Sequence, residues 1–83
     1  MKLLKFGSAW CQSCKTQTAL LGSIDLSDYI VEYIDIDNLD RQSLSKMKVS
    51  GIPTLIIQDD QGNELKRKSG SLTKKQLQDF LGL

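Results

Sequence analysis

Histidine is absent from this 83-residue chain, and cysteine occurs only twice. Together these two gaps argue against a resident zinc centre, because zinc asks for about four ligands, usually cysteine and histidine. A metal could be held only between two chains or with carboxylates, so neither metal nor cofactor is expected. No apolar run approaches the roughly 18–20 residues of a membrane span. The start, "MKLLKFGSAW", has only Leu3 and Leu4 between its lysines, too short and broken for a secretory apolar region. Neither sign of charge is in excess: 11 Lys+Arg against 10 Asp+Glu leaves +1. That balance gives no general attraction to nucleic acid or to a membrane surface. Repeats, linkers and low-complexity stretches are missing as well. The expectation is a single domain over residues 1–83, of ordinary globular composition. The default compartment is cytoplasmic, where thiols are kept reduced. Nothing calls for an obligate dimer, so a monomer is expected.

Against these absences stands one concentrated feature. Both cysteines lie in "KFGSAWCQSCK", residues 5–15, three positions apart behind Trp10. A structural bridge there would close a very small loop and stabilise little. In a reducing compartment a working dithiol fits better. If Cys11 opens a helix, Cys14 lies on the same face one turn later, about 5–6 Å away between Cβ atoms. Free N–H groups and the positive end of the helix dipole then favour the thiolate at Cys11, and thiolate is the attacking species. Cys11 is therefore expected to be exposed and nucleophilic. Cys14 should be more covered and act as the resolving thiol, displacing the product from a mixed disulfide. Lys15 adds positive charge nearby, or is simply a solvated helix residue.

The rest of the chain supplies a frame. Residues 2–6 read as a buried strand, 11–21 as a helix ended by Gly22, and 29–36 as a strand rich in β-branched and aromatic residues. Ala19, Leu20 and Leu21 are expected on the inner side of the first helix. Residues 39–47 carry a weak helical stripe, and 54–58 and 64–69 read as strands joined by the turn "DDQGN". Thr73 and Gln76 make a capping-box pattern for a last helix, with Leu72 and Leu77 at the staple positions. The order β-α-β-α-β-β-α predicts a parallel first pair, an antiparallel hairpin and helices on both faces of a four-stranded mixed sheet. Lys66, Arg67 and Lys68 fall on an edge strand, where charge discourages unwanted pairing.

The segments "AWCQSCK", "DID", "SGIPT", "QGNE" and "KSGSLTKKQLQDFL", in this order and spacing, resemble the thioredoxin family over essentially the whole chain. The resemblance implies an α/β thioredoxin fold and thiol–disulfide oxidoreductase activity, with Cys11 as nucleophile and Cys14 as resolving cysteine. It also implies that Pro53 is a cis proline beside them. Trp10, Ile52, Pro53 and Gly70 would then line the substrate groove. Implied partners are disulfide-containing proteins, ribonucleotide reductase among them, with thioredoxin reductase as electron donor. A glutaredoxin-like enzyme fed by glutathione is the alternative, and a non-catalytic binding module of the same fold is a third reading.

The departures from the family pattern bear on mechanism. Thioredoxins usually open with an extra strand and helix, whereas here the cysteines arrive by residue 11. Gln12 and Ser13 stand where thioredoxins carry Gly-Pro. That exchange restores an N–H at Ser13, expected to point near Cys11 and to make the protein a weaker reductant. Lys5 occupies the place of a buried aspartate, the presumed proton acceptor of the resolving cysteine. Its side chain is expected to snorkel out to solvent rather than to lie near the thiols. Tyr33 replaces a lysine common in the family.

Overall fold

A computed structural model describes all residues 1–83. The elements are β1 (Lys2–Gly7), α1 (Gln12–Gly22), β2 (Ile30–Asp35), a single 3-10 turn (Ile36–Asn38), α2 (Arg41–Met47), β3 (Thr54–Gln58), β4 (Glu64–Ser69) and α3 (Lys74–Leu81). The sheet order is β2-β1-β3-β4. β1 runs parallel to β2 and antiparallel to β3, and β3 and β4 form an antiparallel hairpin. The expected order and pairing hold, with bounds moved by one or two residues. Cys11 is the N-cap of α1 rather than its first residue, and Asp40 caps α2, which leaves Leu39 outside it.

Side chains alternate between the two faces of a strand, and β1 divides the core accordingly. Leu3 packs with Leu21, Leu55, Leu72, Leu77 and Leu81 beneath α1 and α3. Leu4 and Phe6 pack with Ile56 on the other face, where Leu39, Met47 and Val49 close over them. By the same alternation Lys5 shares the face of Leu3, and its cross-strand neighbours are Tyr33 on β2 and Leu55 on β3. Each fully buried leucine contributes about 1.5–3 kcal/mol relative to exposure.

The inner stripe of α1 is Cys14, Gln17 and Leu21. Ala19, expected inside, is exposed, because the stripe repeats at three- and four-residue steps and Gln17 takes the intermediate place. The Gln17 side chain is buried because its Oε1 accepts the Leu72 N–H at 2.9 Å, tying α1 to the chain just before α3. α3 begins with a complete capping box: Gln76 N–H donates to Thr73 Oγ1, and Thr73 N–H donates to Gln76 Oε1. No helix is long and apolar enough to cross a membrane.

Candidate active site

Cys11 and Cys14 are joined as a disulfide at the start of α1, their Cα atoms 5.2 Å apart. Cys11 adopts an extended N-cap conformation, so its side chain turns back over the first turn and accepts the Cys14 N–H at 3.2 Å. Ser13 Oγ lies 3.3 Å from the same sulfur. The donor expected from the Ser13 backbone is thus replaced by the Cys14 N–H, with the Ser13 hydroxyl beside it. This fold-back also covers the sulfur: Cys11 is 8% exposed, less open than expected, although Cys14 at 2% is more covered still. Helix N-terminal donors stabilise negative charge, so these groups favour the ionised form of Cys11 Sγ when the bridge opens. Gln12 and Lys15 are exposed.

Trp10 is 69% exposed, and its Nε1–H donates to the Asp37 carboxylate at 3.0 and 3.3 Å. Trp10 and Ile52 line one shallow depression together with Ile36, Val49 and Gly51. The Ile52–Pro53 peptide bond is cis. Pro53 is buried, and its carbonyl accepts the Gly70 N–H at 2.8 Å. Gly70 ends β4 at φ +93°, a left-handed conformation that suits glycine. Thr54 Oγ1 bonds the Gly51 carbonyl at 2.6 Å and meets Ser69 Oγ at 3.2 Å, fixing this turn against the end of β4. The fold therefore brings Trp10 and Ile52 to one depression, and ties Pro53 to Gly70.

Lys5 departs from its expected course. It does not reach out to solvent: the residue is 4% exposed, and Nζ donates to the Cys14 carbonyl at 3.1 Å. The cause is the strand alternation that turns residue 5 toward the face covered by α1, where that carbonyl offers an acceptor. Burial pulls the Lys5 ammonium below the ordinary lysine range. A cleft of about 210 Å³ on this side is lined by Lys5, Ser8, Cys14, Lys15, Tyr33 and Asp35, among others. Ser8 Oγ is buried without a hydrogen-bond partner.

Three contributors escaped the sequence reading. Gly7 packs so closely that an added Cβ would lie 3.2 Å from Cys14 Cβ. A glycine inside a strand signals a close approach, but the expected strand stops at residue 6, and only the observed β1 includes Gly7. Asp37 lies in the quoted "DID" segment but gave no sign of holding Trp10. Gln17 is polar within an apolar stripe, and its partner lies 55 residues away.

The thioredoxin family model matches residues 1–82, so the chain belongs to the thioredoxin family and carries a thioredoxin-like redox centre at Cys11 and Cys14. No significant match was found among curated protein sequences. Among solved structures, a point mutant of thioredoxin from Halobacterium salinarum is similar at 26% identity and TM-score 0.80, over 94% of this chain and 68% of that one. Thioredoxin 1 from Thermosipho africanus matches at 24% identity and TM-score 0.80, over 99% and 91%. The germline-specific thioredoxin Deadhead from Drosophila melanogaster matches at 23% and 0.82, over 98% and 77%.

Proposed function

We propose that the chain is a thiol–disulfide oxidoreductase that reduces the disulfides of other proteins. The observation that carries this reading is the asymmetry of the pair: Cys11 caps the helix and is the more accessible residue, with Cys14 one turn behind it. The Cys11 thiolate attacks a substrate disulfide, and one substrate sulfur leaves as thiolate. Cys14 then attacks Cys11 Sγ in the mixed disulfide, releases the second substrate sulfur and regenerates the Cys11–Cys14 bridge. An external two-electron donor reopens it. Trp10, Ile52, Pro53 and Gly70 are proposed to receive the substrate strand beside the sulfurs.

Insulin reduction with dithiothreitol as donor tests the reading. Activity should be present in the native chain and absent in Cys11→Ser, while Cys14→Ser should accumulate the mixed disulfide. Turnover that survives Cys11→Ser would remove the enzymatic reading. Thioredoxin reductase is the proposed donor and the cytoplasm the proposed compartment; faster turnover with glutathione and its reductase would favour the glutaredoxin-like alternative.

A further inference from the structure

Lys5 is buried against the helix that carries the dithiol, and it has no ionic partner. An ammonium has three N–H donors, and the only hydrogen bond from Nζ goes to the Cys14 carbonyl. None of the ion pairs in the protein includes it. Around it, α1 presents Cys14, Lys15 and Thr18, β2 presents Tyr33 and Asp35, and β3 presents only the apolar Leu55. Asp35 lines the same cleft without pairing with Lys5. The Cys14 sulfur is close as well: a Cβ on Gly7 would fall 3.3 Å from Cys14 Sγ and 3.4 Å from Lys5 Nζ. The ammonium and the sulfur are therefore separated by no more than the sum of those two distances.

We propose that Lys5 sets the charge balance of the dithiol, its ammonium gaining a counter-charge only when the Cys11–Cys14 bridge opens and a thiolate forms above it. The proposal rests on the redox reading given above. A dithiol reductant supplies two electrons and is itself oxidised to its disulfide. The Cys11–Cys14 bond breaks, and of the reductant's two protons one goes to a sulfur and the other to solvent. The products are one thiol, one thiolate and an ammonium beside it. Reoxidation reverses each transfer, and the ammonium loses its counter-charge as the thiolate attacks. The lowered affinity of Lys5 for its proton in the disulfide form points the same way, because an ammonium short of a counter-charge holds its proton more tightly when one appears. Lys5 thereby favours the dithiol over the disulfide, opposite in sign to a buried carboxylate at this place.

The test compares the native chain with Lys5→Met in dithiothreitol redox buffers across pH, and follows the Lys5 Nζ titration by NMR in both redox states of the native chain. The expected results are a shift toward the disulfide in Lys5→Met of about ten- to a hundredfold, thiolate absorbance appearing at higher pH, and a Lys5 midpoint that rises on reduction. Identical Lys5 titration in the two states overturns the proposal, and this measurement stands even if Lys5→Met does not fold. An unmoved redox equilibrium in a folded Lys5→Met overturns it as well. The reading as a protein disulfide reductase fails separately, through absent insulin reduction by the native chain, with the Lys5 linkage still measurable.

Discussion

Gly7→Ala adds one methyl group at the most crowded point below the sulfurs. The new Cβ would lie 3.2 Å from Cys14 Cβ, 3.3 Å from Cys14 Sγ and 3.4 Å from Lys5 Nζ. Carbon contacts are comfortable at about 3.5–4.0 Å, so the neighbours must yield by a few tenths of an ångström. Lys5 Nζ is the far end of a flexible chain and can retreat. Cys14 Cβ is fixed to the backbone of α1 and cannot retreat without moving the helix. Alanine should stabilise by about 0.4–1 kcal/mol through the unfolded chain, while overpacking costs about 1–3 kcal/mol. The second effect wins, for a net loss of about 1 kcal/mol and a fall of roughly 4–8 °C in melting temperature at this size.

The loss should differ between redox states. In the disulfide the Cys14 sulfur is held in place, whereas in the dithiol Sγ can rotate away from the added methyl although Cβ cannot. The oxidised form therefore carries the larger penalty, and by linkage the variant moves toward the dithiol by about twofold. Melting of both forms, together with equilibration against dithiothreitol, gives the two numbers independently. An alanine variant that melts at or above the native chain in both states would refute the reasoning, since it would mean that the site has slack at Gly7.

Two further outcomes follow from local features. Thr73→Ala removes the acceptor for Gln76 N–H at the start of α3 and should cost about 0.5–2 kcal/mol by urea denaturation, with no change in the redox equilibrium. In the disulfide form, Lys5 binds its proton less tightly folded than unfolded, so the unfolded chain holds more protons between the lowered value and the ordinary one near about 10.4. Stability should rise with pH through that window and be lowest beneath it. Tyr29, held above its ordinary range by burial, acts in the opposite sense at higher pH, which confines the measurement to below the tyrosine range. Denaturation midpoints against pH should show this rise in the native chain and not in Lys5→Met.

What could be read from the sequence was what neighbouring residues decide. The capping box at Thr73, the hairpin turn before Glu64 and the helix start at Cys11 depend on groups within a few positions of one another, and all are present. What could not be read depends on partners far along the chain. The strand period puts Lys5 on the face of Leu3, but only the placement of α1 shows that this face is roofed by the Cys14 carbonyl. Gln17 breaks an apolar pattern because its partner is the Leu72 N–H. Trp10 is fixed by Asp37, 27 residues on. Each is a polar side chain whose direction is set by a tertiary acceptor or donor, and hydrophobic periodicity carries no information about those.

These same polar contacts explain how α1 can hold a centre that changes its bonding. Of its three buried side chains only Leu21 is aliphatic, and it sits with the partly buried Leu20 at the end away from the sulfurs. There the helix is packed against Leu3, Leu77 and Leu81, where loss of a methylene would be felt directly. Nearer the sulfurs it is held by directional bonds, from Lys5 Nζ to the Cys14 carbonyl and from Leu72 N–H to Gln17 Oε1. Each is worth only about 0.5–1.5 kcal/mol net if neutral, more if charged. Neither bond uses a sulfur, so neither has to break when the bridge opens. The apolar packing that anchors α1 lies a full helix turn or more from Cys14, and the groups beneath the sulfurs are those able to answer a new charge. Opening the bridge can then change the electrostatics under Cys14 while the helix that carries it stays in place.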